Sequence, residues 1–136
     1  ASFIESTIGG DGLINEKWDI ENTEMIPAPV GMRKGTVAVR VRGASMEPRI
    51  LDGDALYCSP VDDFNEIRNK RVVLVRFADH YRKCPDCLVV KRIYRVGDTF
   101  SLLSDNSNDN CQNFENLSLN DIAWIRSVEG KFSTDL

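Results

Sequence analysis

The sequence predicts a mostly β domain with minor helix, and three observations carry that reading. Short runs rich in β-branched and aromatic residues recur along the chain, several alternate apolar with polar side chains, and clusters of Gly, Pro, Asn and Asp separate them. A chain of 136 residues, 42% of them hydrophobic, holds enough apolar surface for one ordinary domain to bury a core without staples.

Residues 1–35 differ in character from the rest. Gly9-Gly10-Asp11-Gly12, then Trp18, then Ile26-Pro27-Ala28-Pro29-Val30-Gly31 describe an extended arm with mobile hinges and one aromatic anchor. Residues 36–136 form the domain proper. Its first strand, Thr36–Arg42, puts Val39 and Val41 on one face and Arg40 and Arg42 on the other, then stops at Gly43-Ala44-Ser45-Met46-Glu47-Pro48. A helical turn is predicted around Met46–Leu51, a strand over Ala55–Ser59, and a second helical turn at Asp62–Ile67. Arg71–Phe77 and Cys87–Tyr94 should pair as a hairpin with Cys84-Pro85-Asp86-Cys87 at its tip. Strands follow at Thr99–Ser104 and Ile122–Val128, with the polar loop Ser104-Asp105-Asn106-Ser107-Asn108-Asp109-Asn110 after the first of them.

Charge and composition exclude several functions. A net charge of -4 argues against a surface built to neutralise phosphates, so any contact with DNA belongs to another part of the protein. No apolar run approaches a membrane span and the start lacks the order of a secretory signal, so a soluble, cytoplasmic protein is expected. Of the four cysteines, Cys84 and Cys87 form a C-x-x-C, but Cys58 and Cys111 stand apart and the single histidine, His80, offers no matching second pair. No metal and no cofactor are expected.

Ser45 raises the question of a nucleophile, since a turn needs Gly or Pro but has no particular need of a Ser-Met pair between them. A serine hydroxyl needs a base to take its proton, and His80 lies in a solvated loop, which disfavours a Ser-His-Asp triad. A lysine can serve if burial favours its neutral amine. In Leu88-Val89-Val90-Lys91-Arg92-Ile93-Tyr94 the strand period sets Lys91 beside Val89 and Ile93 on one face. Lys91 is therefore either a desolvated base or a solvated strand lysine whose neighbours face outward.

The segment Val41-x-Gly43-x-Ser45-Met46-x-Pro48, followed by Ile50-x-Asp52-Gly53-Asp54, resembles the nucleophile signature of the LexA-like Ser-Lys peptidases, the self-cleaving group that includes LexA, the phage lambda repressor and UmuD. Val72-Val73-Leu74-Val75 is similar to the strand before that family's lysine, Val89-Val90-Lys91-Arg92-Ile93 to its "VKR" segment, and Leu102-Leu103-Ser104-Asp105-Asn106 to its "L-x-S/P-x-N" loop. The motifs keep the family's order from about Gly9 onward, with extra length in the Ala78–Asp86 loop. The resemblance implies a LexA/signal-peptidase-like β fold, Ser45 as nucleophile, Lys91 as general base, and an oxyanion held by backbone N–H groups around Ala44 and Met46. It further implies cleavage of the chain's own arm, with Gly9-Gly10 as the candidate scissile bond; glycine stands at Gly9 where the family usually has alanine.

For partners the resemblance implies a homodimer, a RecA-type filament as co-protease, and operator DNA held only through an N-terminal domain upstream of this chain, with no membrane. The role implied is that of the autoproteolysis and dimerisation domain of a phage-type or SOS-type transcriptional repressor. A UmuD-like polymerase accessory subunit and a non-catalytic dimerisation or sensing module remain alternatives. A signal-peptidase relative would need a membrane anchor that the sequence does not display.

Overall fold

The computed structural model describes residues 5–9, 13–15, 31, 33–41, 45–81, 87–108 and 113–132. Its strands are β1 (Glu5–Gly9), β2 (Leu13–Asn15), β3 (Val37–Arg40), β4 (Ala55–Pro60), β5 (Val72–Phe77), β6 (Cys87–Val96), β7 (Thr99–Leu103), β8 (Phe114–Leu117) and β9 (Ile122–Phe132). Helix among the described residues is confined to single 3-10 turns at Phe64–Glu66 and Leu119–Asp121, so the expected mostly β class is the one observed. No helix among the described residues is long and apolar enough to cross a membrane.

The strands lie in the order β2-β1-β3-β4-β9-β5-β6-β7-β8, and β2 also pairs with β6. That extra pairing closes β1 to β6 and β9 into a ring, from which β7 and β8 extend. The expected hairpin is present: β5 and β6 run antiparallel with Val73 opposite Lys91 and Val75 opposite Val89, while its tip, including Cys84, lies outside the described residues.

Apart from a small third cluster of Ala38, Ala55 and Tyr57, two larger hydrophobic clusters pack against the sheet. One gathers Val39, Val41, Met46, Ile50, Leu56, Cys58, Leu74, Val90 and Val128, and the other Val73, Val75, Phe77, Val89, Ile93, Phe100, Leu102, Phe114 and Leu117 with Ile67. Because Leu74 faces the first and Val73 and Val75 the second, β5 is buried on both faces and reads as a continuous apolar run. β9 bridges β5, which pairs with Ile122–Ser127, and β4, which pairs with Arg126–Phe132.

β9 runs four residues past its expected end at Val128. Glu129-Gly130 looks like a turn in sequence, but a register shift between Tyr57 and Cys58 of β4 absorbs it and brings Gly130 opposite Tyr57. β8 was hidden for a related reason. Asn116 sits at φ 58, which breaks the alternation by which a strand is recognised, and the β7–β8 pairing is itself irregular. The arm holds a further addition, since β1 and β2 are paired strands within residues expected only to be extended.

Candidate functional site

Ser45 follows β3 on a loop whose base is pinned by reciprocal backbone bonds. Val41 N–H donates to the Asp54 carbonyl and Gly53 N–H to the Val41 carbonyl, both at 2.8 Å. Gly53 takes φ +93, a conformation that L side chains rarely adopt, which accounts for the Asp52-Gly53-Asp54 sequence at this point. The Asp54 carboxylate is buried and accepts from Leu51 N–H at 2.9 Å, and Lys131 Nζ donates to the Arg49 carbonyl at 2.6 Å. Within the loop Ile50 N–H donates to the Met46 carbonyl at 3.1 Å, a single i→i−4 turn where the sequence predicts one. Met46 and Ile50 drive their side chains into the first core. This turn holds Ser45 at 3% exposure.

Lys91 is wholly buried, as are its face-mates Val89 and Ile93. The side chain is therefore desolvated, and the reading of a solvated strand lysine does not describe the molecule. Lys91 stands where the outer edge of β6 changes partner: Cys87–Val89 pair with β2, and Arg92–Val96 with β7. Its Nζ donates to Ser104 Oγ at 2.8 Å.

The loop after β7 joins the two residues. Ser104 takes the Lys91 side chain, and two residues on Asn106 N–H donates to the Ser45 carbonyl at 2.9 Å. The loop is itself clamped. Arg92 grips Asp105 through Nε and Nη2, each at 2.7 Å, and Ser104 N–H donates to Asn113 Oδ1 at 2.7 Å. The Asp105 hydrogen bond holds the Arg92 guanidinium above its already high ordinary pKa, against the opposing effect of burial.

The arm enters this region as backbone. β1 runs parallel to β3, with Thr7 opposite Arg40, so it heads the same way as the chain leading to Ser45. β2 runs antiparallel to β6, with Leu13 opposite Val89, two residues before Lys91. Gly9 pairs with Leu13, so Gly9, Leu13 and Val89 form one ladder across the hairpin into the lysine strand.

Residues 6–128 match the family described as Peptidase S24-like. The chain belongs to that family. Peptidase S24-like proteins are serine peptidases, and membership makes this chain a LexA/UmuD-like peptidase-type domain. The match begins inside β1, so the family pattern takes in the arm as well as the sheet. No curated protein matches the chain.

Not every residue expected at the site is described. Gly10 and Ala44 lie outside the described residues, while Met46 is buried directly after Ser45. His80 is largely exposed, 3.5 Å from Asp121, as its solvated loop implied. Among the described residues no cluster of His, Cys, Asp or Glu could hold a metal ion. Cys58 is free and buried, and burial, aided by Glu129 and opposed by Arg126, pushes its thiol up to about 12. Ser104 is the residue to which sequence reasoning assigned no part in the site. Its signal was the Leu102–Asn106 motif, which marked the loop without saying which atom faces the lysine.

Proposed function

We propose that this domain cleaves its own arm by a Ser-Lys dyad of Ser45 and Lys91, as the autoproteolysis and dimerisation domain of a phage-type or SOS-type repressor. The observation that carries the reading is the convergence of two buried groups, Ser45 and Lys91, on the single loop 104–106. Removal from water disfavours an ammonium, so burial favours the neutral amine that a general base requires. Lys91 takes the Ser45 hydroxyl proton as Oγ attacks the Gly9 carbonyl, with backbone N–H groups around Ala44 and Met46 receiving the oxyanion. Collapse of the tetrahedral species breaks the Gly9-Gly10 bond, and the proton passes to the departing Gly10 amine. Water then attacks the acyl-enzyme, with Lys91 again the base, and frees Ser45.

What supports Gly9-Gly10 as the bond cut is that β1, which ends at Gly9, pairs with the strand leading to Ser45, while its partner β2 pairs with the strand holding Lys91. Regulation follows from the same arrangement. A partner that binds the arm-docked state better than the undocked one, as a RecA-type filament would, raises the cleavage rate by shifting that population. Dimerisation through β9 would use the edge of Ile122–Ile125, which pair with β5 on one side and, unlike Arg126–Phe132, not with β4 on the other.

The test is incubation of the chain alone across a pH series, followed by mass spectrometry. Self-cleavage should speed up as pH rises and level off once the lysine is neutral, giving a fragment that starts at Gly10. Ser45→Ala should stop it, and so should Lys91→Met, which removes the amine and keeps its volume. Cleavage by Lys91→Met at the parent's rate would refute the dyad.

A further inference from the structure

Outside the dyad, a groove of about 460 Å³ lies between the Ser45 turn, the segment Arg68–Val72 leading into β5, Arg92 of β6 and Val128–Lys131 of β9. Six basic side chains line it, Arg49, Arg68, Lys70, Arg71, Arg92 and Lys131, against the single carboxylate of Glu129. The whole chain has 17 Lys and Arg against 21 Asp and Glu, so this one groove concentrates over a third of the positive charge of an acidic protein. Three of the six are engaged: Arg92 with Asp105 at 2.7 Å, Arg71 with Glu129 at 3.6 Å, and Lys131 with Asp54 at 3.5 Å. Among the described residues no carboxylate pairs with Arg49, Arg68 or Lys70.

The bank carrying Lys70 is tied to β6 by hydrogen bonds. Lys70 adopts φ 70, its N–H donates to the Ile93 carbonyl at 2.7 Å, and its own carbonyl accepts from Arg92 Nη1 at 2.7 Å. Between the basic banks lie Ile50, Leu56, Val72 and Val128, so the lining is apolar as well as cationic.

We propose that this groove docks an acidic segment of a partner protein that also carries aliphatic side chains. Charge complementarity requires the acidic groups, and the apolar lining would bury aliphatic ones, which a sugar-phosphate chain does not supply. The net charge of -4 also sets long-range repulsion against an extended polyphosphate, whereas a short peptide meets mainly the local field of the groove. Arg49 and Ile50 belong to the Ser45 turn, so an occupant touches that turn directly. Binding itself does not depend on the dyad.

The proposal is tested on the 136-residue chain carrying Ser45→Ala, by fluorescence anisotropy with a short labelled peptide alternating glutamate and leucine. Saturable binding that weakens with salt, falls at least about tenfold in Arg68→Glu and Lys70→Glu, and is unchanged in Lys34→Glu would support it, ten-fold being near the loss of one charge-assisted contact. Absence of saturable binding, equal binding by Arg68→Glu, or equal binding of a lysine-leucine peptide would overturn it. Tighter binding of an oligothymidine that Arg68→Glu weakens would assign the groove to nucleic acid and also overturn it. Melting curves of each variant identify any loss that comes from unfolding.

Discussion

Lys91 Nζ, itself wholly buried, donates to the half-buried Ser104 Oγ at 2.8 Å. A long flexible side chain in such a place is oriented by what it bonds, so Ser104 positions the amine while its loop neighbour Asn106 holds the Ser45 carbonyl. Ser104→Ala should slow self-cleavage by about tenfold, the rate equivalent of one net hydrogen bond. Ser104→Thr keeps the hydroxyl and should retain most of the rate. Single-turnover rates at a pH on the plateau, read beside melting temperatures, decide it; equal rates for the alanine variant and the parent would remove Ser104 from the site.

Lys91 and Ser104 also mark what the sequence disclosed and what it hid. The strand period set Lys91 beside Val89 and Ile93, and those three side chains are the ones found fully buried on one face. Ser104 bonds Lys91 because β7 turns back along β6 through Gly97-Asp98, with Gly97 at positive φ, so that Arg92 pairs with Leu103; the turn is local, but which atom then meets the lysine is not. The arm strands escaped notice for a different reason. Glu5–Gly9 and Leu13–Asn15 are short, glycine-rich at their junction, and find partners in β3 and β6, far along the chain. Asn116, at positive φ, concealed β8 by a local irregularity instead.

Asp54 anchors the turn that carries Ser45, accepting from Leu51 N–H at 2.9 Å with Lys131 Nζ 3.5 Å away. Asp54→Ala leaves the Leu51 donor without its carboxylate and Lys131 without its buried counter-charge. The expected loss is about 1–3 kcal/mol of stability. Urea unfolding of the Ser45→Ala background with and without the change measures it, and an unchanged midpoint would show that the backbone bonds of Val41 and Gly53 hold the turn by themselves.

Cys58 links stability to alkaline pH. Burial raises its thiol from an ordinary value of 9.0 to about 12, so between those values the unfolded chain releases a proton that the folded chain retains. The unfolded state then binds fewer protons, and stability must fall as pH rises through that window. Replacing the thiol by Cys58→Ala should remove this contribution, flattening the pH dependence of the urea midpoint above pH 9 relative to the parent thiol, both in the Ser45→Ala background. The same burial predicts that a thiol reagent at neutral pH modifies Cys58 only on unfolding. Rapid labelling of native Cys58, identified by peptide mapping, would contradict it.

Gly9 sits at the end of β1, paired with Leu13, at the entrance to the bond proposed for cleavage. Glycine there leaves the undocked arm more conformations to lose on docking than any other residue would. Gly9→Ala introduces the side chain usual in the LexA-like family and narrows the undocked ensemble, an effect worth about 0.4–1 kcal/mol where the backbone accepts it. Cleavage at a fixed alkaline pH should therefore accelerate by about two- to fivefold, with the fragment still beginning at Gly10. The control is Gly12→Ala, which stiffens the hairpin without altering the residue that supplies the scissile carbonyl. Equal acceleration by both changes would trace the effect to arm stiffness alone, and a slower Gly9→Ala variant would mean that the docked backbone at this position requires glycine.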